Sequence, residues 1–298
     1  MNSIDFMQRS INYIDEHLTD QIAAEELAEI SGFSKYHFYR LFSKYMGMPV
    51  MEYITFRRLQ YSCKYLRDGD KIIDIAMRYG FETHAGYTKA FKKHYGYSPN
   101  YYRIHAPVGI PHKINLMNLK QNHLTGIIAE PKIVAKEAIR IVGYKLETTL
   151  KDGAHTKDVP AFWDSCNISG LEANLYKTQK VVKHGEYGIC INTGEEAEEF
   201  SYVLGVEAQT FDEVEEGMYA YVVPAAEYAV FTTPLVNEED FVTSIQGTWN
   251  YILQEWFPAS GYEVDDTKPD FEFYDERCHD WDHEKLQMEI YIPVKARK

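Results

Sequence analysis

Along the first hundred positions, apolar residues recur every three or four places: Ile4, Met7, Ile11 and Ile14, then Tyr53, Phe56, Leu59, Cys63 and Leu66. That interval puts them on one face of a helix. Breakers at Ser31-Gly32, Gly47-Met48-Pro49, Asp68-Gly69-Asp70, Gly80 and Gly96-Tyr97-Ser98-Pro99 divide the region into several helices. The pattern lapses from His105 to Pro131, among Pro107, Gly109 and Pro111, which predicts a linker over 108–129. Strand-like runs follow at Ile139–Leu146, Val181–Thr193, Met218–Val223, Tyr228–Thr232, Phe271–Tyr274 and Met288–Val294, with helical stretches at Val159–Ala173 and Glu238–Phe257. This order predicts an all-α region over 1–107, then an α+β domain with a largely antiparallel sheet over 130–298.

The helical region contains a repeat. Leu27-Ala28-Glu29-Ile30-Ser31-Gly32-Phe33 returns as Ile75-Ala76-Met77-Arg78-Tyr79-Gly80-Phe81. Each copy leads into an aromatic, basic helix, Ser34–Tyr45 and Thr83–Tyr95, and each closes on Gly and Pro. Small Ala28 and Ala76 permit close helix approach, Gly32 and Gly80 take the turn, and Ser34 and Thr83 suit N-caps. Two tandem helix-turn-helix units are predicted, and the second helix of each would read DNA. In the first, Phe38, Leu41, Phe42 and Tyr45 form the packing face and leave Tyr36, Tyr39, Arg40 and Lys44 outward. In the second, Tyr87, Ala90 and Phe91 pack, while Thr83, His84, Gly86, Lys89, Lys92 and Lys93 face out. A single lysine-bearing face is ordinarily just solvated; two such faces after two matching turns favour DNA contact.

Charge supports two modules. The net charge of −14 over 298 residues argues against nucleic acid for the whole chain. Residues 1–107, however, hold 14 Lys+Arg against 12 Asp+Glu, and the remainder holds 17 against 33. With 45% hydrophobic and 26% charged residues the composition is that of a soluble globular protein. No apolar window reaches the roughly 18 residues of a membrane span, and Met1–Asp5 opens no signal peptide, so a cytoplasmic location is expected. Cys63, Cys166, Cys190 and Cys278 are widely spaced and suit reduced thiols better than a disulfide framework.

The segment Ile72-Ile73-Asp74-Ile75-Ala76, Tyr79-Gly80-Phe81, Lys89 to Pro99 and Tyr102-Arg103 is similar to the signature of the AraC/XylS-type DNA-binding domain. The resemblance implies two helix-turn-helix subdomains bridged by a helix at about Val50–Arg67, reading major-groove segments about 34 Å apart. It places base-edge positions at Tyr36, Tyr39 and Arg40, then His84, Ala85, Thr88 and Lys89. Lys44, Thr83 and Lys92 complete the candidate DNA contacts. The sequence departs from the family at His84-Ala85-Gly86, and it has Lys89 where arginine is usual. Ala85 and Gly86 offer no side-chain hydrogen bond, so weaker reading by the second subdomain is expected.

In the acidic region, Glu272 and Tyr274 share one strand face opposite Phe271 and Phe273, and Glu289 and Tyr291 share one face opposite Met288, Ile290 and Ile292. An exposed polar sheet face accounts for this at least as well as a tyrosine-lined pocket with a carboxylate base, which would suit a hydrophobic cation. Residues of about 130–296 resemble the GyrI-like effector-binding domain, through Val206-Glu207, Pro224–Phe231, Trp256–Tyr262, Pro269–Arg277 and Glu289–Val294. That resemblance implies two strand-helix-strand-strand halves with a ligand groove between them. It carries the pocket carboxylate to Glu272 or Glu289, and the aromatic walls to Trp163, Tyr187, Trp249 and Tyr291; Tyr274, paired with Glu272 by the strand alternation, completes the candidate ligand contacts. Trp163 and Trp249 lie on helical stretches, where core packing is the competing role.

Other chemistry finds little footing. Cys278-His279-Asp280-Trp281-Asp282-His283 lacks a second ligand cluster and is expected to be an exposed acidic loop, so no metal site is assigned. No G-x-G-x-x-G, P-loop or G-x-S-x-G motif occurs, and neither cofactor nor catalytic residue is assigned. The expectation is a bacterial transcription activator that binds promoter DNA, a small cationic or aromatic effector and RNA polymerase, as monomer or homodimer and without membrane contact. The competing expectation is a hydrolytic or ligand-modifying GyrI-like enzyme fused to a DNA-binding domain.

Overall fold

The computed structural model describes residues 3–106, 130–192, 198–279 and 285–297. The expected linker, 108–129, lies outside these, as do residues 280–284 of the expected acidic loop. The described residues form two compact units, one ending at His94 and the other starting at Tyr95.

The first unit contains α1 (Ser3–Glu16), α2 (Ala24–Ile30), α3 (Lys35–Met46), α4 (Val50–Arg67), α5 (Ile72–Arg78) and α6 (His84–Tyr95, of which Tyr95 falls in the second unit). The repeat is reproduced bond for bond at its turns. Phe33 N–H donates to Ala28 O at 3.0 Å, and Phe81 N–H donates to Ala76 O at 2.9 Å. Gly32 and Gly80 supply the left-handed residue at φ +69° and +76°. Thr83 caps α6, its Oγ1 accepting from Gly86 N–H at 3.0 Å, whereas Ser34 holds the N-cap position of α3 without a side-chain bond. Helix α4 bridges the two subdomains: Tyr53 packs edge-on to Phe42, Phe56 lies over His94, and Ser62 shares a 2.6 Å hydrogen bond with Tyr87. Arg57 makes a buried, two-pronged bond to Asp15 on α1, at 2.8 and 2.9 Å. Arg58 donates to the Leu18 and Asp20 carbonyls beyond α1. A side chain at Gly80 would meet its guanidinium.

The second unit begins with α7 (Pro99–His105), capped by Ser98, whose Oγ accepts from Tyr101 N–H at 3.1 Å. Tyr97, in the Gly-Tyr-Ser-Pro motif, donates to Leu253 O at 2.8 Å and packs edge-on to Phe257. The closing motif of the second helix-turn-helix is therefore built into this unit. The strands are β1 (Lys132–Lys136), β2 (Ile139–Thr149), β3 (Val181–Asn192), β4 (Glu199–Ala208), β5 (Tyr219–Val223), β6 (Ala226–Thr232), β7 (Tyr262–Val264), β8 (Asp270–Tyr274) and β9 (Glu289–Ala296). They pair antiparallel in the order β1-β6-β9-β8-β3-β4-β2-β5, with β7 on β9. The helices are α8 (His155–Ile168), α9 (Leu171–Thr178), α10 (Glu238–Tyr251), continued by a π-helical turn at Ile252–Trp256, then α11 (Phe257–Ala259) and α12 (Glu276–His279). Two strand-helix-strand-strand halves result, β2-α8/α9-β3-β4 and β6-α10-β8-β9, joined by the β3–β8 pairing. One sheet face carries the core of Ile141, Tyr187, Ile189, Val203, Phe271, Phe273 and Tyr291; α8 and α10 cover the other.

Candidate functional site

In the first unit, α3 buries Phe38 and Phe42 and turns Tyr36, Arg40 and Lys44 to solvent, with Tyr39 half-exposed. Helix α6 buries Tyr87 and Phe91 and exposes Lys89 and Lys93, with His84 and Lys92 half-exposed. Thr83 is exposed, and its hydroxyl is engaged as the cap. Thr88 departs from the expectation. It is 7% exposed, with its Oγ1 enclosed and unbonded, because it lies against the inner face that Tyr87 and Phe91 define.

In the second unit a cleft of about 280 Å³ opens beside Glu272. Strand register sets its floor: Glu272 on β8 stands opposite Gly188 on β3, and Asp270 stands opposite Cys190. Trp249 on α10 donates its Nε1–H to Glu272 Oε1 at 2.9 Å, and the Tyr274 hydroxyl donates to Glu272 Oε2 at 2.8 Å. Trp163 on α8 donates to the Tyr202 hydroxyl at 2.8 Å and packs edge-on to Tyr274. Gly188 keeps the floor open, since a Cβ there would lie 2.2 Å from the Tyr202 hydroxyl. Burial, reinforced by the Glu272 charge, holds the Tyr202 and Tyr274 hydroxyls well above the ordinary phenol range, so both remain donors. Among the described residues, no lysine or arginine lines the cleft or pairs with Glu272.

Helix α7 closes one end of the cleft with Ile104 and His105. The His105 ring stacks on Trp249 at 4.1 Å and 12°, and its Nε2 lies 3.1 Å from Asp270 Oδ2. Nearby, His155 bonds through Nε2 to Arg103 O at 3.2 Å, and burial pushes its pKa below the ordinary value.

The two Glu-x-Tyr pairs do not converge. Register places Glu272 opposite Ile290, but Glu289 opposite Phe273 and Tyr291 opposite Phe271. Tyr187, Glu289 and Tyr291 therefore occupy the sheet face away from Glu272, Tyr274, Trp163 and Trp249. There Tyr187 donates to Glu207 Oε2 at 3.0 Å, Tyr291 donates to Glu289 Oε2 at 2.6 Å, and Arg277 pairs with Glu289 at 3.3 Å. Lys136 sits 4.6 Å above the Tyr291 ring and Lys183 sits 4.0 Å above Phe273. The chain's own cations already occupy that aromatic face. Tyr202, Cys190, Asp270 and His105 are cleft residues that the sequence reading passed over. The period-two run Asp270-x-Glu272-x-Tyr274 was signal enough for Asp270.

Comparison with known proteins matches both units. The profile of the integron-associated effector binding protein family, Cass2, covers residues 132–294, and a helix-turn-helix domain profile covers 27–104. The uncharacterized HTH-type transcriptional regulator YbfP of Bacillus subtilis (strain 168) is 45% identical over 98 residues, 33% of this chain and 33% of that one. The chain thus spans one third of that relative's length. The HTH-type transcriptional activator AarP of Providencia stuartii is 38% identical over 93 residues, 31% of this chain and 69% of that one. Among solved structures, SAV2435 bound to tetraphenylphosphonium aligns with 56% of this chain and 94% of that one, at 22% identity and a TM-score of 0.46. The chain belongs to the Cass2 family of effector-binding proteins and carries an AraC-type helix-turn-helix domain: it is a transcriptional regulator with a C-terminal effector-binding domain.

Proposed function

We propose that this regulator is a cytoplasmic transcription activator whose cleft binds a small, lipophilic or aromatic cation. One observation carries the reading: Glu272 is held in an aromatic cleft by two neutral donors, Trp249 and Tyr274, with no lysine or arginine lining that cleft among the described residues. A carboxylate partly withdrawn from water without a counter-ion is costly, and an entering cation offsets that cost. The aromatic rings add attraction of about 0.5–2 kcal/mol per well-placed contact. Glu289, paired with Arg277, has no such demand.

The DNA surface is assigned to Tyr36, Tyr39, Arg40 and Lys44 on α3, and to Thr83, His84, Lys89 and Lys92 at α6, within a DNA-binding segment of 1–107. The effector segment is 130–298. A non-enzymatic cleft fits the engagement of its carboxylates: Glu272 accepts from Trp249 and Tyr274, and Asp270 pairs with His105. RNA polymerase is the proposed partner on the promoter, with the protein acting as monomer or homodimer.

The test uses the full chain and a duplex selected by it from a random pool. Affinity at one fixed salt concentration, and transcription from a template carrying that duplex, are measured with and without tetraphenylphosphonium. A shift of about 5–150-fold in either is expected for ordinary allosteric coupling. Selection of no duplex, or indifference of both readouts to a bound cation, overturns the reading.

A further inference from the structure

We propose that the closed end of the cleft is a zinc site, ligated by His105 Nε2, Cys190 Sγ and one Asp270 carboxylate oxygen. The ligand atoms of these three residues all lie within 4.8 Å of one another. Cys190 and Asp270 face each other directly across the β3–β8 pairing, so the sheet projects both from one face into one place. The third ligand comes from the end of α7, and the stack of His105 on Trp249 fixes its ring plane.

A tetrahedral zinc has bonds of about 2.3 Å to sulfur and about 2.0–2.2 Å to nitrogen and oxygen, which sets ligand atoms roughly 3.3–3.7 Å apart. His105 Nε2 and Asp270 Oδ2 are already 3.1 Å apart, so coordination asks for small side-chain movements only. The donor set selects the metal. One thiolate, one imidazole and one carboxylate suit zinc, whereas calcium and magnesium require an oxygen cage. Both carboxylates that line the cleft, Asp270 and Glu272, favour a divalent cation, and no lysine or arginine opposes it among the described lining residues. Three protein ligands leave the fourth position open toward the cleft, to be filled by water or by an effector atom.

The protons balance. Cys190 gives up its thiol proton to solvent as the Zn–S bond forms, and His105 releases the Nε2 proton it donates to Asp270 while Nδ1 takes one up from solvent, so that Nε2 presents a lone pair. The His105–Asp270 hydrogen bond is replaced by the shared metal. The site escapes sequence motifs because its ligands come from three distant segments, with His105 and Asp270 165 positions apart.

This inference goes beyond the organic-cation reading and does not rest on it, since zinc is assayed without any organic ligand. The full chain is stripped of metal under reductant and titrated with zinc against a chromophoric chelator; cobalt(II) serves as the spectroscopic stand-in. One tight zinc per chain is expected, with a thiolate-to-cobalt charge-transfer band and tetrahedral d–d absorption. Cys190→Ala should abolish the charge-transfer band, and Cys278→Ala should leave it intact. His105→Ala and Asp270→Asn should each weaken zinc binding beyond the about 10–100-fold typical of outer-shell partners. Near-ultraviolet circular dichroism reports folding, and Cys190→Ser replaces the alanine variant if that variant is unfolded. Failure of the wild type to hold zinc against the chelator overturns the proposal. So does a charge-transfer band that survives Cys190 replacement, or equal affinity in all variants.

Discussion

Replacing Glu272 by glutamine removes one charge and almost no volume. The neighbours tolerate it: the amide oxygen still accepts from Trp249 Nε1, and the Tyr274 hydroxyl, now a donor at 2.8 Å, can rotate its proton away and accept from the new amide. What changes is the attraction for a cation. At about 5 Å and an effective dielectric near 20, one unit pair is worth about 3 kcal/mol. Glu272 is half-buried, so solvent reduces this to about 1.5–3 kcal/mol, or about 10–150-fold in affinity. Calorimetry should show that loss for tetraphenylphosphonium, with a change under about twofold for a neutral analogue of the same shape. Fluorescence from Trp249, whose indole bonds the glutamate directly, gives a second readout. Glu289→Gln, on the other sheet face, should leave both affinities near wild type. Equal small losses for cation and neutral analogue in Glu272→Gln would refute the electrostatic reasoning.

On the DNA side, Arg40→Ala should reduce affinity for the selected duplex by about 1–3 kcal/mol in gel shifts at fixed salt, and unchanged affinity would remove α3 from the interface. Thr88→Val, which deletes an enclosed and unbonded hydroxyl, should leave DNA affinity unchanged; a tenfold loss would restore Thr88 as a base reader. Arg57→Ala strands Asp15, which is 3% exposed, and should lower stability by about 3–5 kcal/mol in urea unfolding; a loss below about 1 kcal/mol would contradict the buried pair. His155 has a folded pKa lowered from 6.5 by burial, so the neutral ring favours the fold and stability is lost as pH falls below about 6.5. His155→Gln should flatten the thermal-melting profile below about pH 6.5, and an unchanged slope would assign that dependence to other groups.

The helix-turn-helix units were legible because they are local. Their turns are fixed by Gly32 and Gly80, and the bridging helix spans Val50–Arg67 as its periodicity indicates. Within α6, it is the family resemblance that put Thr88 outward; one position from Tyr87 and three from Phe91, it lies on the border of the buried face. Strand β4 was missed for a physical reason: it is buried almost throughout, so its sequence loses the alternation that marks a half-exposed strand. The stretch Val159–Ala173, read as one helix, breaks at Ser169-Gly170, where Gly170 adopts φ +67°. For the site, each Glu-x-Tyr pair was visible on its own strand, but which face of one strand matches which face of another depends on register. A slip of one residue exchanges the faces. Glu272 and Glu289 could not be told apart until β8 and β9 were aligned, and His105 could not be joined to Asp270 before α7 was packed.

The size of the cleft bears on how an effector acts. At about 280 Å³ it lies just under the roughly 300–1,000 Å³ of common ligand sites, so a bulky cation enters only by moving a wall. Six lining residues, Gly188, Cys190, Phe200, Tyr202, Asp270 and Glu272, belong to sheet strands, and the others come from helices. Among the helical ones, His105 ends a seven-residue helix. It is held by a stack on Trp249 and a tilted contact with Tyr101, worth about 0.5–1.5 kcal/mol each, and by one charge-assisted bond to Asp270, worth about 1.5–3 kcal/mol. The lower end of that sum, about 2.5 kcal/mol, falls within the attraction Glu272 offers a cation, so exchange of His105 for a ligand is close to balanced. Near balance is what a switch requires, because a ligand shifts only an equilibrium whose two states it distinguishes. Helix α7 follows α6 in the chain after only Gly96, Tyr97 and Ser98, and the AraC-type signature runs through it. An effector that dislodges His105 therefore acts on the segment that leads directly from the second recognition helix. A fragment cut at Ala106 would keep that segment but lose Trp249, Asp270 and Leu253, the partners on which it packs.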